Sequence, residues 1–295
     1  MNNSPISFLA KSIEKSLEYI APEKSKELNE FYEAYSPSFH YSDKQEFSVR
    51  VNTATCKVTI SVNALEYLWA SCYAYYVLYQ KYSKANELGA ENFDLHGDEQ
   101  LVTAMQLLKW GQTRILASAQ LTEWGEHLPK PNDNNEFSDV ANELFLCAIA
   151  WILHHEIAHV YHQHPNVLGS DGEAKQQEKE ADQSATNWIM ESKNTPLVEQ
   201  KRILGIAIAI LAMTAEDILT GVFDKATHPK SFERLDDALH YQITCEDHLV
   251  YAFCVTTLHA NMAMSGLKFS IGSEKETWKD HFTNCLIDLS RQEKI

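Results

Sequence analysis

The chain has 295 residues, 44% hydrophobic and 22% charged, with 41 acidic against 25 basic side chains and a formal net charge of −16. That length can bury a substantial core, and the composition is that of a globular protein. The acidic balance argues against a general affinity for phosphate backbones or anionic lipid, so nucleic acid is not expected as a partner.

The opening MNNSPISFLAKSIEKSLEYI has no basic start followed by a continuous apolar core, as a signal peptide would. It reads as an amphipathic helix with Phe8, Leu9, Ile13, Leu17 and Ile20 at helical spacing. A second helix begins after Ala21, where Pro22 suits a first turn. Between Glu46 and Val62 the period drops to two: Phe47, Val49 and Val51, then Val58, Ile60 and Val62, alternate with polar residues. The intervening NTAT suits a turn, which predicts a β-hairpin. A helix rich in aromatics follows over Ala64–Lys84, and its stripe of Tyr67, Trp69, Tyr73, Tyr75, Tyr76 and Tyr79 reads as core packing. Another helix is expected over Gln100–Ala119, then a polar, proline-containing loop over Glu123–Asp139. From Val140 onward the pattern is helical, with breaks near Pro165–Gly172, Asn194–Pro196, His228–Pro229 and Ser265–Ser273. Two apolar runs, Leu144–Leu153 and Ile203–Met213, fall short of the ~20 residues that span a bilayer and read as core helices, so no transmembrane segment is expected. The expected architecture is α+β but mainly α, a single compact domain over 1–295. Residues 1–135 would carry the hairpin and the substrate side, and 136–295 the helical metal-binding part.

Six cysteines, Cys56, Cys72, Cys147, Cys245, Cys254 and Cys285, include no CxxC pair. Buried, reduced thiols in a cytoplasmic protein are the expectation.

Within WILHHEIAHV stands His155-Glu156-Ile157-Ala158-His159, an HExxH in an apolar helical context. Positions i and i+4 share a helix face, so both imidazoles can reach one ion, with Glu156 beside them as catalytic base. Zinc suits such nitrogen ligands and, in hydrolases, keeps one coordination position open. The third ligand is not a histidine six residues on, because that position is Pro165. Glu178-Lys-Glu-Ala-Asp182 offers an ExxxD on a following helix. Glu178 is the expected ligand, and Asp182, on the same face, can accept the second N–H of a liganding histidine. Glu173 and His162 are alternatives; Glu180 points about 200° away from Glu178 and should be solvated. His154 is expected in the core, and His164 at the helix end. Downstream, Thr227-His228-Pro229-Lys-Ser-Phe-Glu-Arg234 could bring His228 or Arg234 to a tetrahedral oxyanion.

HEIAH, EKEAD and THPKSFER, in that order, resemble the zincin-like membrane metallopeptidases that include the CAAX prenyl proteases and the HtpX heat-shock proteases. Those helices usually read HELGH, whereas Ala158 precedes the second histidine here. A closer resemblance is to the phage-exclusion peptidase Lit family. It runs through IAPEK, ALEYLWA, NFDLHG, FLCAIAWILHHEIAHV, EADQSATNWI, LGIAIAIL and THPKSFER. That resemblance implies a soluble zinc endopeptidase of bacterial defence which cleaves elongation factor Tu once a phage capsid peptide binds to it. Two other readings compete. One is a zinc-stabilised sensor or binding protein with a closed site of four protein ligands; the other is a protease that cleaves a repressor. The hairpin is expected to border the cleft and pair with an extended substrate.

Overall fold

The computed structural model describes residues 4–89, 94, 97–166, 170–191, 195–270 and 276–292. Most of the NFDLHG segment lies outside them, as do parts of the breaks expected near residues 165–172, 194–196 and 265–273.

A 3₁₀ turn, Pro5–Leu9, is capped by Ser4 and leads into α1, Ala10–Tyr19. Ile6, Leu9, Ile13 and Leu17 are buried, but the 3₁₀ geometry turns Phe8 outward, where it is 63% exposed. Pro22 starts a second 3₁₀ turn, and α2 (Ser25–Tyr35) follows, ended by Ser36 in the left-handed region.

The predicted hairpin forms as β2 (Val49–Asn52) and β3 (Lys57–Ser61), paired antiparallel. Asn52 makes the NTAT turn by accepting, through Oδ1, the N–H groups of Ala54 and Thr55. A further strand, β1 (Ser38–Ser42), pairs parallel to β3 on its other side, so the order is β1-β3-β2. The SFHYS alternation is short and half-exposed, and no strand is expected there from the sequence. Its consequence is that β3 is central, which removes the Val58–Val62 strand as a candidate edge and leaves β2 with one free side toward the site. Ser61 donates its N–H to Ser48 at 2.9 Å, which makes 48–61 a hydrogen-bonded pair. By alternation Arg50 and Asn52 turn their main-chain groups toward β3, while Val49 and Val51 turn theirs to the free side.

The helices are α3 (Val62–Glu87), α4 (Glu99–Ile115), α5 (Glu136–Tyr161), α6 (Asp171–Met190), α7 (Pro196–Thr220), α8 (Ser231–His240), α9 (Leu249–Met264) and α10 (Trp278–Gln292). Side-chain caps start several of them: Ser61 for α3, Asp98 for α4, Asn135 for α5 and Ser170 for α6. The break between α8 and α9, over residues 241–248, was not anticipated. Helix α5 lies in the middle, against α1, α3, α6, α7 and β2. Gly205 lets α7 press on it, since a Cβ there would meet the Cys147 Cβ at 2.4 Å. Helices α5 and α7 are each long and apolar enough to cross a membrane, yet 78% and 72% of their apolar windows are buried within the protein. Of the stripe on α3, Tyr67, Trp69, Tyr73 and Tyr75 are buried, so it is core as expected. The six cysteines are free; Cys245 is exposed, against the expectation of burial, because it sits in the unanticipated α8–α9 loop.

Candidate active site

His155, Glu156 and His159 lie on the last two turns of α5, and Glu178 and Asp182 lie one turn apart on α6. Helix α6 lays Ala181, Ala185 and Ile189 into the core, which holds its acidic stripe against α5. His155 Nε2 and His159 Nε2 stand 3.2 Å apart. Glu178 Oε2 is 3.2 Å from His155 Nε2, and Glu178 Oε1 is 3.4 Å from His159 Nε2. These three side chains could hold a metal ion, all their donor atoms lying within 4.8 Å of one another. The donor set fits zinc, two imidazole nitrogens and a carboxylate. Glu178 Oε2 is buried with no hydrogen-bond partner, as an oxygen reserved for a cation would be.

Each histidine is engaged through its other nitrogen. His155 Nδ1 donates to Asp182 Oδ1 at 2.8 Å. Arg234, buried on α8, grips the same carboxylate with Nε to Oδ2 and Nη2 to Oδ1, both at 2.7 Å. Arg234 thus commits two N–H groups to Asp182. His159 Nδ1 faces His164 Nδ1 at 2.8 Å, and His164 Nε2 lies 3.2 Å from Glu180 Oε2. Glu180 is half-exposed but bonded to a histidine, not merely solvated as expected. The sequence marks His164 only as the helix end; a histidine just past a metal helix is the available signal. His228 Nε2 lies 3.5 Å from Glu178 Oε2, and its Nδ1 is 2.7 Å from the Thr227 hydroxyl. The alternatives to Glu178 lie elsewhere: Glu173 is exposed in the first turn of α6, and His162 Nε2 is 2.7 Å from Ser184 Oγ. His154 is buried, with Nε2 donating to the Leu17 carbonyl at 3.2 Å; burial pulls its pKa down to about 4.

The electrostatics follow from burial and pairing. Burial opposes a charge on His155, but Asp182 and Glu178 together outweigh it and push its pKa up to about 10. Burial likewise works against Glu178, yet His155 and His159 hold its carboxyl far below the usual range. The negative potential of Asp182 and Glu178, which favours a proton on His155, would equally favour a metal cation beside it. Glu156 behaves oppositely: burial raises its pKa, and the nearby histidines only partly offset this.

A cleft of about 620 Å³ opens over the group, lined by His155, Glu156, Glu178, His228 and Arg234 on the helical side. Phe47, Ser48, Val49 and Arg50 form its opposite wall, so β2 borders the cleft. The outward-facing main chain of Val51 favours the charged form of the Glu156 carboxylate, and β2 packs against the metal helix.

A family model described as peptidase U49 matches residues 58–254. The chain is 33% identical over 296 residues to the cell death peptidase of Escherichia coli (strain K12), covering 98% of each chain. No solved structure matches it significantly. This is a mainly helical peptide-bond hydrolase with a candidate metal centre between two helices. The chain belongs to peptidase family U49, the Lit family whose motifs were seen in its sequence.

Proposed function

We propose that this chain is a zinc endopeptidase that cuts a protein of its own cell and thereby halts growth. The observation that carries the reading is the convergence of His155, His159 and Glu178 next to the buried carboxylate of Glu156 in an open cleft. The relative's name, cell death peptidase, supports the outcome for the cell. The Lit-family resemblance supports elongation factor Tu as substrate, a phage peptide as trigger and the cytoplasm as the place of action.

His155, His159 and Glu178 would hold the zinc, which as a Lewis acid draws electron density from an adjacent carbonyl or water oxygen. Glu156 takes a proton from the attacking water and hands it to the leaving amine nitrogen. Its raised pKa suits both steps, since the carboxyl must hold that proton between them. His228 can accept a hydrogen bond from the Thr227 hydroxyl at Nδ1 and so carry its own proton on Nε2, which lies 3.5 Å from Glu178 Oε2 in the cleft lining, where it would serve the developing oxyanion. Arg234, engaged with Asp182, acts through that carboxylate by fixing the ring of His155. The substrate lies extended along β2, bonded to the outward N–H and C=O of Val49.

Among the described residues the group has three protein ligands, which favours a peptidase over a closed structural zinc site. Glu156→Gln tests the proposal: the variant should retain one zinc per chain by elemental analysis. It should also lose cleavage of elongation factor Tu, presented with a phage capsid peptide, by at least ~10²-fold. Near-normal cleavage with full metal content refutes the role of Glu156. A metal-loaded parent that leaves this substrate intact refutes the substrate assignment.

A further inference from the structure

The last turn of α5 carries more than a chain reversal. His164 N–H donates to the His159 carbonyl at 2.9 Å, and Gln163 N–H to the Val160 carbonyl at 3.0 Å. Between them Gln163 takes φ = 56°, the left-handed conformation. This pair of bonds is a Schellman ending, in which the residue two past the cap folds back over the residue three before it. The two side chains so brought together are usually an apolar pair. Here they are two imidazoles, His164 and His159, with Nδ1 to Nδ1 at 2.8 Å.

We infer that His164, backed by Glu180, is a positioning residue that sets the tautomer and aim of His159. This rests on the proposed metal role of His155, His159 and Glu178. Two ring nitrogens 2.8 Å apart form a hydrogen bond only if one bears a proton and the other a lone pair. A His159 that offers its Nε2 lone pair must carry its proton on Nδ1, so His164 Nδ1 is the acceptor. The proton of His164 then resides on Nε2, which lies 3.2 Å from a carboxylate oxygen of Glu180, itself bonded by Gln176 Nε2 at 3.1 Å. Every donor in the series has an acceptor. The opposite polarity fails at both ends. It sets the His164 Nε2 lone pair against a carboxylate, and it puts the His159 proton on Nε2, which leaves that nitrogen no lone pair for a cation. Glu180 therefore determines, through His164, which nitrogen of His159 is available. His155 receives the same service directly from Asp182. The metal helix thus carries its own orienting residue, placed by its capping motif.

The test uses the full-length protein and zinc alone, titrated in competition with a chromogenic chelator, alongside urea melts of chelator-treated samples. His164→Phe keeps the ring's bulk and loses the acceptor; zinc affinity should fall roughly 10–100-fold with the metal-free melt unchanged. His164→Asn places its Oδ1 where Nδ1 stood and should return most of that affinity. Glu180→Leu should weaken zinc by less, since Glu180 is half-exposed. A His164→Phe variant that binds zinc like the parent, or an Asn variant as weak as the Phe one, overturns the inference. If the Phe variant does not fold, the Asn and Leu variants decide: Glu180→Leu equal to the parent overturns it. A parent chain that takes up no zinc overturns the metal reading itself, a result separable from either of these.

Discussion

Replacing Asp182 by asparagine should cost both fold and metal, and the structure separates the two losses. Asp182 Oδ1 accepts from His155 Nδ1 at 2.8 Å and from Arg234 Nη2 at 2.7 Å, while Oδ2 accepts from Arg234 Nε at 2.7 Å. An amide group in either orientation sets its NH₂ against at least one of these donors. It also leaves the Arg234 guanidinium, only 7% exposed, without its counter-charge. Breaking a buried pair from one side costs about 3–5 kcal/mol. An amide that keeps its oxygen at the Oδ1 position still accepts from His155 Nδ1 but without charge, so metal binding should separately weaken by up to roughly 10–100-fold. The double variant Asp182→Leu with Arg234→Met removes both charges and fills similar volume, so it should regain most of the stability, as such replacements do. It cannot regain the metal affinity, because no acceptor faces His155 Nδ1. Urea unfolding of chelator-treated protein reads the first quantity, and zinc competition reads the second. A double variant with parental zinc affinity, or an asparagine variant that loses less than about 1 kcal/mol, would refute this account of the pair.

On the sheet edge, Val49→Pro removes an outward N–H without touching the ladder to β3. It should lower kcat/KM on an extended substrate about fivefold, one main-chain bond of ~1 kcal/mol, with zinc content and circular dichroism unchanged. Parental kcat/KM would end the strand-addition model, and Arg50→Pro, which breaks the β3 ladder, serves as the destabilised control. His228→Phe should lower kcat by about 10²-fold with a smaller change in KM. An effect confined to KM would exclude an oxyanion role. Away from the site, burial, reinforced by His281, holds the pKa of His259 at about 4, while the unfolded chain titrates near 6.5. Below pH 6.5 the unfolded state therefore binds a proton that the folded state refuses. The stability is intact above pH 6.5 and lost as pH falls toward 4, by at most about 3 kcal/mol, less for a ring with some solvent access. His259→Phe keeps the stack on Phe269, whose ring centroid is 4.5 Å away, and should flatten the urea midpoint between pH 7 and 5. Identical pH profiles for parent and variant would remove His259 as the cause.

The sequence by itself determined whatever depends on local period. HEIAH and EKEAD name residues on one face of their own helices, because i and i+4 coincide at 3.6 residues per turn. The hairpin's register follows from strict alternation, and Asn52 marks its turn. Long-range pairing was invisible to such a rule. The alternation of SFHYS is compatible with a strand but does not name its partner, which lies across the intervening β2, so which strand would be the free edge could not be read. Within the site, HPxxxxR promised a histidine or arginine near the metal without assigning them. Only the packing of α8 on α6 decided that Arg234 grips Asp182 while His228 faces the cleft. His164 and Glu180 were set aside for the same reason. Their meeting depends on a left-handed Gln163 and on the approach of two helices, and neither leaves a periodic trace in the chain.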